Sequence, residues 1–268
     1  MTSPPWPNAS EGRLADVIRR IGTAGFESAL AEFFCRAIGS DSTLILAFRD
    51  AEAPQMLFRQ SARAAVFAEL EAVYLAGAYL LDPFHALHLA RAPSGLYRLA
   101  DVAPDAFQRS RYVQEYYRQT TLLDELTFVA YPRSGVSINI NLGRDVVTAL
   151  GFSAREVEFC QRMAPILTAL VEVHWADLAS GAQASATPSH SVTAQLIRAL
   201  AAQGIALSPR QAEVALLILQ GHSTPSIGLR MAISPQTVKV FRKQLHARCG
   251  ITSQAELFAL LLPILRQG

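Results

Sequence analysis

The chain of 268 residues has two lysines, Lys239 and Lys243, four positions apart. Arg242 and His246 join them, so the four fall at i, i+3, i+4 and i+7 of the stretch PQTVKVFRKQLHARC. On a helix that spacing makes one cationic face and sets Val238, Phe241 and Leu245 toward a core. Such a face suits the major groove of a duplex. Lysine donates to guanine O6 and N7, and Val240 is placed to touch a thymine methyl. Gln236, Thr237 and Arg242, with the N–H groups at helix starts, suit phosphates. A solvated basic face on an ordinary surface helix has the same composition, so this pattern alone leaves both readings open.

Charge is distributed to match. From Ile205 onward there are seven basic residues (Arg210, Arg230, Lys239, Arg242, Lys243, Arg248, Arg266) and two acids (Glu213, Glu256), a net of +5. The whole chain carries +2, which leaves −3 for the rest. A basic end on an acidic body is the footprint of one domain that meets phosphate and one that does not. Residues 1–238 contain no lysine, which excludes a phosphate-loop lysine, a Schiff base and a receiver-type phosphorylation switch there.

The elements that must position the basic face are marked by caps. Ser208, Pro209 and Gln211 open a helix that Gly221 closes. Thr224-Pro225 opens a short second helix, and Ser234-Pro235 opens the long one, which Gly250 ends. Ser253 and Glu256 form a capping box for the last. A short helix, a tight turn at 232–234 and a longer helix make the helix-turn-helix arrangement. A leading amphipathic helix with Leu196, Ile197 and Leu200 on one face stops at Gly204.

From Leu207 to Leu257 the chain resembles the LuxR-family C-terminal domain, a four-helix unit that binds DNA as a dimer. The matching positions include Leu207, Arg210, Glu213, Val214, Gly221, Ser223, Ile227, Leu229, Ser234, Thr237, Val238, Lys239, Leu245, Gly250, Ala255 and Glu256. The resemblance implies that Lys239, Val240 and Lys243 read bases, with Thr224, Gln236, Thr237 and Arg242 near the DNA backbone. Ser226, Phe241 and Cys249 depart from the family pattern. The last helix carries Leu257, Phe258, Leu260, Leu261, Leu262, Ile264 and Leu265, more apolar surface than a small domain buries alone. That surplus predicts a homodimer contact; packing on the N-terminal body is the alternative.

The remainder reads as an α+β, sensor-like N-terminal domain: an antiparallel sheet with flanking helices, joined to the all-α four-helix C-terminal domain. Helices are expected around Leu14–Ile21 and Leu30–Ile38, an alanine-rich one over 62–76, and a long one from a Ser153/Glu156 capping box to about Trp175, kinked at Pro165. Strands are expected at 42–48, 55–60, 126–132 and 135–141, the last two forming a hairpin across Arg133-Ser134. The resulting division is a disordered start (1–10), a sensor domain (11–175), a linker of small residues (176–191) and the DNA-binding domain with its leading helix (192–268).

The sensor region weakly resembles the family's autoinducer-binding domains, in which a helical segment ends in an Asp-Pro step beside the pocket. Asp82-Pro83 stands in a comparable place, and the resemblance implies that Asp82 holds a ligand amide. The tryptophans are Trp6 and Trp175 only, which argues against a lactone signal. The order of elements equally resembles a GAF- or PAS-like fold. Tyrosines cluster along the middle, and Tyr79 and Tyr116 join Asp82 as the expected small-molecule site. Asp82, His85 and His88 are too far apart around a helix for a metal, so no metal and no cofactor is expected. Asp124-Glu125, with no nucleophile in view, reads as structural rather than catalytic.

Three widely spaced cysteines, without a CxxC pair, fit a reducing cytoplasm. No segment has the length of apolar chain that a membrane span needs, and the N-terminus lacks the pattern of a signal peptide. The sequence therefore reads as a cytoplasmic DNA-binding regulator, dimeric and not an enzyme, controlled by a small effector. The alternatives are a ligand-independent regulator whose body is a dimerisation platform, and an enzyme-like domain with an ancillary DNA-binding tail.

Overall fold

The computed structural model describes residues 10–49, 52–133, 135–178 and 192–265. The expected disordered start lies outside them apart from Ser10, and the linker lies outside them from 179 to 191. In chain order the helices are α1 (Ser10–Arg19), α2 (Phe26–Ile38), α3 (Pro83–Leu89), α4 (Leu99–Val102), α5 (Arg111–Glu115), α6 (Ala154–His174), α7 (Val192–Ala202), α8 (Pro209–Gln220), α9 (Thr224–Met231), α10 (Pro235–Cys249) and α11 (Gln254–Leu265). The strands are β1 (Ser42–Arg49), β2 (Gln55–Ser61), β3 (Gly95–Arg98), β4 (Leu122–Arg133) and β5 (Val136–Asp145).

The chain packs as two compact units whose division does not follow chain order. One comprises the described residues of Met1–Val66, His88–Asp101 and Thr121–Ala186. The other comprises Phe67–Leu87, Val102–Thr120 and the described residues of Thr187–Gly268. Two segments from within the expected sensor region thus belong to the same unit as the helix-turn-helix.

The first unit is built on a five-stranded sheet in the order β2-β1-β5-β4-β3, antiparallel throughout. Alternation along each strand sends one set of side chains into a core with α2 and α6. Phe33, Phe34, Ile45, Phe128, Ile138, Ile140, Phe159 and Leu167 belong to it. The capping box that starts α6 forms as expected, Ser153 N–H donating to Glu156 Oε2 at 2.7 Å. Pro165 lies within the continuous helix. Arg144 on β5 fastens both helices to the sheet, donating to the Ile38 carbonyl at 2.6 Å and to Glu156 Oε1 at 2.7 Å. Asp124, within β4, accepts from the Phe152 N–H at 2.9 Å and so ties the strand to the approach to α6.

One expectation is corrected. Residues 62–76 do not form one α-helix. They run through a 3-10 turn (Ala64–Phe67) and a π-helical turn (Leu70–Tyr74), with a further 3-10 turn at Ala78–Leu81. Tertiary anchoring of Val66, Leu70 and Tyr74, all buried, outweighs alanine's helix propensity, which is worth only tenths of a kcal/mol per residue. The four residues of β3 were not read as a strand, being too few to show an alternation.

In the second unit α7, α10 and α11 all pack on α8. Leu196, Val214, Ile218, Val238, Leu245, Leu257 and Leu261 are buried at 1% exposure or less. Ser208 with Gln211 caps α8 and Ser234 caps α10 as the sequence indicates, with left-handed Gly221 and Gly250 at their ends; α9 is capped by Ser223, one residue before the expected Thr224. At α11 the box is only half formed. Ser253 Oγ accepts from the Glu256 N–H, but the Glu256 carboxylate turns to Thr252 instead, accepting from its N–H at 2.7 Å. Leu257, Phe258, Leu261 and Ile264 are buried within the single chain. Besides α7 and α8, α5 and the Ala78–Leu81 turn lie against α11. The apolar surplus that predicted a second copy therefore has an intramolecular cover at these four residues.

Candidate DNA-reading face and buried tyrosine–aspartate cluster

Successive residues of α10 are rotated by roughly 100°. Val238 and Leu245, both fully buried, define its inward direction. Gln236, Lys239, Val240 and Lys243 then fall on the opposite side, and all four are exposed. Lys239 and Lys243 have no hydrogen bond or ion pair among the described residues. Thr237 is exposed, its hydroxyl 2.8 Å from Ser234 Oγ, and its N–H donates to the same oxygen at 3.0 Å. Arg242 lies on the flank and is half-buried, and desolvation lowers its guanidinium pKa. Thr224, half-buried, opens α9 next to the Ser223 cap. The turn between the two helices uses Ala232 in the left-handed region at φ 53.

In the same unit, Tyr74, Tyr79, Asp82, Tyr112 and Tyr116 form an aromatic cluster. The Tyr74 hydroxyl donates to Asp82 Oδ2 at 2.5 Å, and the Phe84 N–H donates to Asp82 Oδ1 at 2.8 Å. Tyr74 stacks on Tyr116 with ring centroids 5.8 Å apart, and Tyr112 lies 5.4 Å from Tyr116. Tyr79 meets Tyr74 and His85 edge-on at 6.5 and 5.0 Å. Burial pushes the Asp82 carboxyl up to about 6, against the lowering effect of its two hydrogen bonds. Burial, and then the Asp82 charge, push the Tyr74 hydroxyl well above the usual phenol range. The three residues expected at the site, Tyr79, Asp82 and Tyr116, are thus brought together, but Tyr74 is the hub that links them. Its signal in sequence was only a tyrosine eight positions before the aspartate.

A second set of polar groups lies on β5. The strand VSININ alternates apolar and polar residues, and an alternating strand suggests one solvent face. Every residue of β5 is buried, however. On the face away from α2 and α6, Ser137 Oγ lies 2.8 Å from His88 Nδ1, and Thr127 donates to Asn141 Oδ1 at 2.7 Å. Asn139, fully buried, has no partner for its Nδ2 among the described residues. Among the described residues no His, Cys, Asp or Glu cluster is placed to hold a metal, and no helix is long and apolar enough to cross a membrane.

Comparison with known proteins gives these faces their setting. Residues 206–261 match the family model described as bacterial regulatory proteins, luxR family. Over 185 residues the chain is 31% identical to the HTH-type transcriptional regulator of the exeN 3′ region of Aeromonas salmonicida, covering 68% of this chain and 93% of that one. The chain belongs to the LuxR family of regulators. It is therefore a DNA-binding transcriptional regulator, of a family that does not consist of enzymes. The solved structures similar to this LuxR-family chain include the ligand-binding domain of VqsR from Pseudomonas aeruginosa, at 21% identity and a TM-score of 0.53, covering 62% of this chain and 96% of that one. Its fold is the one found here. SdiA of Escherichia coli matches at 15% identity and a TM-score of 0.43, over 96% of this chain and 99% of its own.

Proposed function

We propose that this LuxR-family regulator reads bases through Lys239, Val240 and Lys243 and holds the DNA backbone through Thr224, Gln236, Thr237 and Arg242. The carrying observation is that Lys239, Val240 and Lys243 are exposed on α10, turned away from the buried Val238 and Leu245. Exposed, unpaired cations on the outer face of the second helix of a helix-turn-helix suit the major groove. Arg242, half-desolvated on the flank, suits a phosphate better than a base. A homodimer on a pseudo-palindromic site, working in the cytoplasm, completes the reading.

The effector site in this reading is the cluster of Tyr79, Asp82 and Tyr116, with Tyr74 added. Buried tyrosines give an apolar surface with polar tips, and a desolvated carboxylate selects a ligand that donates hydrogen bonds. A second reading has its own support. Both Asp82 oxygens already accept a bond, from Tyr74 and Phe84, which suits a ligand-independent structural knot in a dimerisation platform. A thermal-shift screen separates the two: a compound that raises Tm in wild type but not in Asp82→Asn supports the effector site. For the DNA-reading face, the protein is titrated with duplex from upstream of its own coding region. Lys239→Ala is expected to weaken binding and relax preference at one base pair; unchanged preference removes Lys239 from the readers.

A further inference from the structure

We propose that His174, the last residue of α6, is an acid-sensitive latch: while neutral it ties the turn between α1 and α2 to the end of α6, and on taking a proton at Nδ1 it lets that turn go. The inference stands apart from the DNA-reading face and the tyrosine cluster, and all its residues lie in the first unit. The Gly22 N–H donates to His174 Nδ1 at 2.9 Å. A backbone N–H only donates, so Nδ1 must carry a lone pair there. The proton of the neutral ring is therefore on Nε2, which stands 3.5 Å from Glu27 Oε1 in the first turn of α2. One tautomer satisfies both neighbours and the other satisfies neither.

The ring is held so that it cannot turn away from this choice. Its side chain is 8% exposed. It stacks on the buried Phe26 with centroids 4.0 Å apart and planes at 15°, and Trp175 stands edge-on to it at 4.6 Å. Protonation therefore sets Nδ1–H against the Gly22 N–H, donor to donor, while the contact of Nε2–H with Glu27 becomes an ion pair. The two contacts respond in opposite directions, so the ring stays on α2 and only the turn is released. Gly22 is exposed and its N–H has no other acceptor among the described residues, so water replaces the lost bond at little cost. Glu27 is the charged group that meets the ring. Arg20, before the turn, has its guanidinium beside Gly25, and Glu172 on α6 accepts from Ser94 Oγ at 3.4 Å. Desolvation lowers the His174 pKa, and Glu27 opposes that lowering. The latch is thus closed at neutral pH and opens as pH falls below the ordinary histidine range. α6 is the last helix before the linker, so the turn that acid frees is one that braces the linker's starting point.

Full-length protein titrated from about pH 7.5 to about pH 4 tests this, since the range spans the ordinary histidine value. Nitrogen-15 shifts of the His174 ring report its tautomer. Exchange of the Gly22 amide, corrected for the intrinsic effect of pH, reports the latch. The neutral ring is expected to carry its proton on Nε2. Gly22 protection is expected to fall roughly tenfold or more in step with the ring's titration, with the amides of β1 and β5 unchanged. His174→Asn, whose amide oxygen takes the place of Nδ1 without titrating, should keep Gly22 protected throughout. His174→Phe, which keeps the stack but not the acceptor, should leave Gly22 unprotected at every pH; if that variant does not fold, wild type and His174→Asn carry the test. Glu27→Gln should move the midpoint to lower pH, because the charge that favours the protonated ring is gone. A proton on Nδ1 at neutral pH overturns the proposal, and so does a ring still neutral at about pH 4. Gly22 protection that ignores the ring's titration, or falls equally in His174→Asn, overturns it as well. Protection lost only together with that of β1 and β5 has the same force, because it reports acid unfolding of the whole unit.

Discussion

The outer face of α10 and the tyrosine cluster belong to one compact unit and handle polar groups in opposite ways. On α10, Lys239 and Lys243 stand exposed and separate, with like charge and no partner among the described residues. In the cluster, the Tyr74 hydroxyl and both Asp82 oxygens are matched to one another or to backbone within 2.8 Å. The first surface is complete only when something anionic arrives. The second is complete already, so an incoming ligand must offer Asp82 or Tyr74 a better bond than the one it displaces. Affinity on α10 is therefore expected to follow salt, and affinity in the cluster to follow shape and hydrogen-bond exchange.

The comparison breaks most visibly at α10. Replacing both Lys239 and Lys243 with alanine should lower affinity for the specific site by at least 100-fold, each good lysine–base pair contributing about 1–3 kcal/mol. The melting temperature should stay within about 1 °C of wild type, because exposed substitutions stay within about 0.5 kcal/mol. A large loss of stability instead would show that the lysines hold the domain together. In the cluster the order is reversed. Tyr74→Phe leaves a buried Asp82 oxygen without its donor and should cost about 1–3 kcal/mol of stability, read by chemical denaturation, while Tyr79→Phe, with no hydroxyl bond to Asp82, should cost less.

Acidity sharpens the same contrast. Asp82 has its folded pKa raised to about 6, so the native state takes up its proton more readily than the unfolded chain. Its contribution to stability is therefore greatest below about pH 4 and falls as pH rises to about 6. His222 runs the other way. Desolvation and then Arg230 lower it to about 4, so its contribution is present above the ordinary histidine range and is lost as pH falls toward 4. Melting curves between pH 4 and 7 should show a steeper acid loss in Asp82→Asn and a shallower one in His222→Gln; parallel curves would mean that neither group titrates in this range. The smallest effect is expected at Val240, where alanine should change preference at one A·T step by under 1 kcal/mol, seen in a competition assay.

The helix-turn-helix was legible because its signals are local. Ser208 and Ser234 cap helices from positions next to prolines, Gly221 and Gly250 end them, and the spacing of Lys239 and Lys243 needs only a helix to become a face. The sheet was mostly legible for the same reason, the short β3 excepted. The tyrosine cluster was half legible: the Asp82-Pro83 step drew attention to the right segment, but Tyr74 joins it across a chain of 3-10 and π turns that alanine-rich sequence does not announce. The polar face of β5 was misleading, since Ser137, Asn139 and Asn141 alternate like a solvent-facing strand and are buried.

By itself the sequence determined the helices of the C-terminal region, where they stop and which side of α10 carries charge, because caps and 3.6-residue periodicity act within a few residues. Only the tertiary structure decided what those helices lie against. Asp105 is 118 positions from Ser223, and Leu80 is 140 from Gln220. Bonds over such separations depend on how two segments of the body fold onto the α8–α9 turn. No local pattern encodes that, because each partner alone is an ordinary surface polar group whose bond exists only once the chain has closed around it.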